Sequence, residues 1–205
     1  MKVTAITQQK HHTERYSVFV DGNFAFGLIM QDILYFKLKE GSEVSEETYD
    51  FILENLVYIK AQDKALHYLG YKMRTRWEVV KKLEEQEYSE EVVERVLAFL
   101  EKYSYLDDLA YCKSHIRERE RLNPRGKFAL KMELRQKGVS NKLIEQALEE
   151  SEVDELTGAI RLIHKKVRNL EDLDEKEKKR VVGFLQRRGY SCDIIKEALQ
   201  EAKNQ

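Results

Sequence analysis

Proline is nearly missing from this 205-residue chain, with Pro124 alone, and glycine is scarce at nine. Sandwiches and barrels need turn formers at every reversal, so this shortage excludes a many-stranded β fold and points to long helices. Cysteine is sparse as well. Cys112 and Cys192 stand 80 positions apart without a Cys-x-x-Cys partner, which excludes a disulfide framework and a zinc ribbon. Both are expected to be reduced and buried. No apolar run approaches the roughly 18 residues of a membrane span. The opening stretch, MKVTAITQQKHH, has no apolar run resembling a signal peptide, so a cytoplasmic protein without a membrane partner is expected. An excess of one charge is also lacking, since 36 Lys and Arg face 37 Asp and Glu.

Catalytic constellations are absent too. Gly126-Lys127 has no upstream glycine at phosphate-loop spacing, and no Gly-x-Gly-x-x-Gly occurs. His11-His12 lacks a third metal ligand, and His67, His115 and His164 have no nearby Cys or second His. Asp107-Asp108 is a carboxylate pair whose members diverge on a helix, so helix capping suits it better than acid-base work. The chain is therefore expected to be no enzyme and to use no cofactor or metal.

What is present is material for a core divided among small modules: 42% apolar residues, with eight Phe, eleven Tyr and one Trp. Charge is segregated. Residues 113–142 carry ten bases against three acids, residues 161–188 carry ten against five, and acidic stretches such as 84–94 offset them. Such segments serve either as solvated helix faces or as contacts to a polyanion or charged assembly.

An internal repeat organises the rest. LEEQEYSEEVVERVL (83–97), LRQKGVSNKLIEQAL (134–148) and LQRRGYSCDIIKEAL (185–199) align without gaps at an offset of 51. Leu83, Leu134 and Leu185 end one helix, and Gly138 and Gly189 suit the left-handed stop, where the first copy has Glu87. Ser89, Ser140 and Ser191 cap the next helix. Its buried stripe is Val92, Val93, Val96, Leu97 in the first copy, with matching apolar residues in the others. The register extends upstream through Val79, Leu130 and Val181, then through Ala61, Cys112 and Ile163, so each unit has three helices. The middle helices are expected to start at a Thr75–Glu78 capping box, at Asn123-Pro124 and at Asp174.

Ahead of the repeats, VTAIT (3–7), RYSVFV (15–20) and FAFGLIM (24–30), with Asp21-Gly22-Asn23 as a hairpin turn, predict a three-stranded antiparallel sheet. Asp32 and Ser45 are read as caps of covering helices over roughly 32–37 and 46–59. The predicted fold is mainly α: three tandem three-helix repeats in an elongated curved array behind a small α+β module. Its boundaries are 1–59, 60–106, 107–153 and 154–205.

The stretches ALHYLGYKMRTRWEVVKKL (65–83) and YLDDLAYCKSHIRERERLNPRGKFALKMELRQKGVSNKLIEQAL (105–148) bring the chain close to a known family. With Asp108, Ala110, Arg117, Arg119, Gly126, Leu134, Lys137 and Gly138 as its central motif, the sequence resembles the RecX family, bacterial regulators of the RecA recombinase. VDGNFAFG (20–27) resembles the extension of Gram-positive members. The resemblance implies a regulator acting in homologous recombination, DNA repair and the SOS response. Such a protein binds the groove of the RecA-DNA filament, inhibits ATPase and strand exchange, and limits filament growth. The expected partners are the RecA filament and single- or double-stranded DNA, met directly or through the filament, and a monomer is expected. A second reading is a sequence-nonspecific DNA-binding protein. Candidate contact residues are Arg117, Arg119, Arg121, Arg125, Lys127, Lys131, Arg135 and Lys137. Reversing Arg121, Arg125 and Lys127 together is expected to leave the fold intact and to weaken inhibition.

Overall fold

The computed structural model describes residues 1–10, 12–167 and 174–204. The chain divides into two compact units, Met1–Asp107 and Asp108–Gln205.

The first unit opens with an antiparallel sheet of β1 (Val3–Gln8), β2 (Arg15–Val20) and β3 (Asn23–Ile29), paired in chain order. Asp21 and Gly22 both take positive φ, 49° and 84°, the conformation that a two-residue hairpin turn requires to match strand twist. Helix α1 (Met30–Tyr35) grows directly out of β3 with Ile29 at its N-cap position. Asp32 is therefore not its cap; it sits in the first turn and pairs with Lys60 at 2.7 Å.

Ser45 does cap α2 (Glu46–Ile52), accepting from the Thr48 amide. The helix does not stop near residue 59, however. It widens into a π-helical stretch over Leu53–Tyr58 and continues as α3 (Ile59–Tyr71). No glycine or proline interrupts 46–69, and Leu53, Val57, Ala61 and Ala65 form one buried i, i+4 row across the whole length. Helices α4 (Arg76–Glu84) and α5 (Glu90–Lys102) complete the unit. Sheet and helices share one core, from Val3 to Leu106.

The second unit holds α6 (Asp108–Leu122), α7 (Lys127–Gln136) and α8 (Asn141–Glu150), then α9 (Glu155–Lys166), α10 (Glu175–Arg187) and α11 (Cys192–Glu201). Each trio has its own core. In both, the first helix packs on the third, as α3 does on α5.

The three expected turns are alike in detail. Ser89, Ser140 and Ser191 each accept the amide of the third residue of their helix, from Val92, Leu143 and Ile194. Glu87, Gly138 and Gly189 have φ of 55°, 74° and 85°, and Leu83, Leu134 and Leu185 are wholly buried. Glu87 holds the left-handed position because its carboxylate has a task there. It accepts from Ser17 Oγ on β2 at 3.3 Å, while Arg15 donates to the Gln86 carbonyl at 2.8 Å. The first repeat's turn is thereby bound to the sheet.

Thr75 and Glu78 form the expected capping box, and Asp174 caps α10 through the Glu177 amide. The second repeat departs. Asn123-Pro124 lies before α7, whose N-cap is Gly126 without a side-chain cap. Tertiary contact sets that start: the Gly126 amide donates to the Arg188 carbonyl at 3.0 Å, and a Cβ on Gly126 would fall 2.2 Å from the Gly189 carbonyl oxygen. Backbone meets backbone here, between the second and third repeats. Cys112 is buried as expected, but Cys192 is exposed, because it opens α11 just outside the stripe that begins at Ile194.

Candidate functional site

The expected cationic surface separates into two groups. Arg117, Arg121 and Lys127 are exposed on α6 and at the start of α7, and their side chains form no ion pair among the described residues, though the Lys127 amide donates to Glu155 Oε1 at 2.8 Å. Arg117 donates only to the Lys113 carbonyl, at 3.3 Å. Arg135 is exposed and bonds Asn141 Oδ1 at 2.7 Å, and Lys137 is half-buried.

The remaining three are engaged within the second repeat. Lys131 pairs with Glu145 at 2.8 Å. Arg119 and Arg125 converge on Glu133, at 2.8 Å and 3.4 Å, where His115 Nε2 also stands 2.9 Å away. Burial pushes the Glu133 carboxyl up, but hydrogen bonds from His115 and Arg119 outweigh it and hold the group below the ordinary carboxylate value. Reversing Arg125 would place two carboxylates together in this half-buried cluster. Arg125 thus faces a carboxylate of its own repeat.

A cleft of about 380 Å³ adjoins the exposed group. Among the described residues its wall carries five cations: Arg121 from α6, Arg161, Lys165 and Lys166 from α9, and Arg188 from the turn after α10. No carboxylate among the described residues lines it. Arg161 donates to the Glu120 carbonyl and Arg188 to Asn123 Oδ1, while Lys166 and Arg188 lie 4.5 Å and 4.7 Å from the centre of the Phe184 ring. Burial, then the charge of Arg125, lowers the Arg188 pKa from its ordinary value. The four cations from the third repeat are absent from the expected contact set. The basic excess over 161–188 was their one signal in the sequence, and only the packing of α6 against the third repeat gathers them with Arg121.

Among the described residues no three His, Cys, Asp or Glu side chains are grouped to hold an ion. His12 faces Gln86 at 2.9 Å, His67 faces the Tyr71 hydroxyl at 3.0 Å, and His11 lies outside the described residues. No helix among the described residues is long and apolar enough to cross a membrane.

Four family models match the chain in order. They are the regulatory protein RecX N-terminal domain over 1–45 and the RecX first, second and third three-helix domains over 61–100, 107–148 and 152–199. The chain belongs to the RecX family. Among relatives named "Regulatory protein RecX", that of Clostridioides difficile strain 630 is 31% identical over 98% of this chain and 96% of its own. That of Bacillus pumilus strain SAFR-032 is 33% identical over 98% and 77%. A crystal structure of a regulatory protein RecX superposes over 100% of this chain and 99% of its own with a TM-score of 0.65 at 30% identity. RecX from Lactobacillus salivarius covers 72% of this chain and 97% of its own, with a TM-score of 0.66 at 26% identity. Regulatory proteins of this family are thus similar to the chain from its sheet through all three helical repeats. The mainly helical fold with an N-terminal sheet is common ground with them.

Proposed function

We propose that this RecX-family chain binds the RecA filament on DNA and restrains it, lowering ATPase and strand exchange and limiting filament growth during recombination, repair and the SOS response. Family membership through all four modules carries the reading. The exposed Arg117, Arg121 and Lys127 support it, because side-chain cations without an ion pair among the described residues remain available to an acidic groove or to DNA phosphates. The protein acts in the cytoplasm as a monomer, without enzymatic chemistry of its own. Its working modules are residues 1–59, 60–106, 107–153 and 154–205.

The test is inhibition of recombinase ATPase by wild type and by the Arg117→Glu, Arg121→Glu, Lys127→Glu triple variant. All three positions are exposed, so circular dichroism should be unchanged, whereas inhibition should weaken by roughly tenfold or more through like-charge repulsion. A folded triple variant that inhibits as strongly as wild type would remove this surface from the contact. Binding to bare and to recombinase-coated strands separates this reading from direct DNA binding: preference for the coated strand supports the regulator.

A further inference from the structure

From the cleft between the second and third repeats we infer a phosphoryl-binding site, built to take one unit of a single nucleic-acid strand or the phosphate chain of a free nucleotide. The inference does not depend on the recombinase reading, since it concerns a ligand met by this chain alone.

The contrast between cations inside and outside the cleft is the starting point. In the second repeat Lys113, Arg119, Arg125 and Lys131 each have a carboxylate within ion-pair distance, on Glu150, Glu133, Glu133 and Glu145. None of Arg121, Arg161, Lys165, Lys166 or Arg188 forms an ion pair among the described residues. The hydrogen-bond and ring partners of these cations are neutral, although the Arg161 charge also acts on the Glu120 carboxylate. Arg161 and Arg188 are anchored by a carbonyl and an amide oxygen, Lys166 by an aromatic face. Such contacts hold a charged group in place without neutralising it. The cleft is therefore preorganised for an anion at the cost of mutual repulsion among its walls.

Charge number and shape narrow the anion. A single carboxylate would neutralise one of five cations, whereas a phosphodiester run or a polyphosphate offers several charges, and three guanidinium forks match phosphate oxygens in pairs. The volume, about 380 Å³, lies near the low end of small-ligand sites, roughly 300–1,000 Å³. That is room for one nucleotide unit and too little for a duplex. At the mouth Leu122 is 62% exposed, an apolar surface on which a sugar or base can rest.

The experiment measures anisotropy of a fluorescent oligothymidylate against the full chain, without recombinase. Lys165→Glu with Lys166→Glu is compared with Lys142→Glu together with Lys196→Glu, an exposed pair outside the cleft that changes net charge equally. The cleft pair should lose at least tenfold in affinity and flatten the log K against log salt slope by about 1.4, as two lost phosphate contacts on a single strand require. The control pair should stay within about twofold, because screened distant charges contribute little. Gln in place of Glu at 165 and 166 repeats the test with less disturbance of α9, and circular dichroism checks folding throughout. Displacement of the strand by ATP, where sulfate at matched ionic strength does not displace it, assigns the site to free nucleotides. Displacement by unlabelled strand alone assigns it to nucleic acid. Equal losses in cleft and control pairs, or no wild-type binding of either ligand, would overturn the inference.

Discussion

Glu133 shows how one side chain sorts a cationic surface. It faces His115, Arg119 and Arg125 from the middle of α7, so two of the eight candidate contact residues are held inside the repeat. Because these interactions depress its folded pKa below 4.5, the stability they contribute is present above that ordinary value and is lost as pH falls through the folded one. Glu133→Gln should cost about 1–3 kcal/mol near neutral pH, where Arg119 and Arg125 lose their shared acceptor charge and His115 its carboxylate partner. The difference from wild type should close as pH falls below the ordinary carboxylate value and through the lower folded one, as thermal melts across that range would read. Tyr190 behaves oppositely. Burial pushes its hydroxyl up to about 12, and the oxygen has no hydrogen-bond partner among the described residues. Stability carried by the neutral phenol is complete below the ordinary value of 10.0 and lost as pH rises toward 12. Tyr190→Phe should lie within about 0.5 kcal/mol of wild type or be more stable, since no hydrogen bond to a protein atom is given up. Tyr190→Ala should cost roughly 3–5 kcal/mol. Denaturant titration of both variants decides whether ring or hydroxyl matters.

At the scale of elements, the third helix of each repeat is an amphipathic stripe under a serine cap, and its inner face carries the stability. Leu148 is buried on α8 whereas Arg121 is exposed on α6. Leu148→Ala should cost roughly 2–5 kcal/mol through lost burial and a residual cavity, while Arg121→Ala should change stability by less than about 0.5 kcal/mol. Equal shifts in melting would contradict the faces. The same stripe and cap were legible in the sequence because helical period and capping are local. Where α7 begins was not. Asn123-Pro124 is a good local start, yet Gly126 is the N-cap because its amide and missing side chain meet the third repeat. In the first unit, local reading ended a helix near 59, and a continuous buried row carried it on to Tyr71.

For the whole molecule, the described residues form two units with three cores. The sheet and first repeat share one core, while the second and third repeats keep one each inside the second unit. A fragment spanning 108–205 retains both of its cores and the Gly126 backbone contact between them. It should therefore fold with a cooperative thermal transition, as a chain of about 100 residues with its own buried apolar surface is able to. A broad, non-cooperative melt with weak helical signal would show that this unit needs residues 1–107.

The sequence by itself determined the sheet, the three turns, the buried stripes and the family, since each rests on neighbours within a few residues or on a pattern repeated along the chain. Tertiary structure alone decided which cations are available. Arg119 and Arg121 are two positions apart on α6, yet one faces Glu133 and the other the cleft. A charge is engaged or available according to what stands opposite it. For Arg121 that means Arg161 and Arg188, 40 and 67 residues further along the chain, brought near by packing that no local pattern encodes.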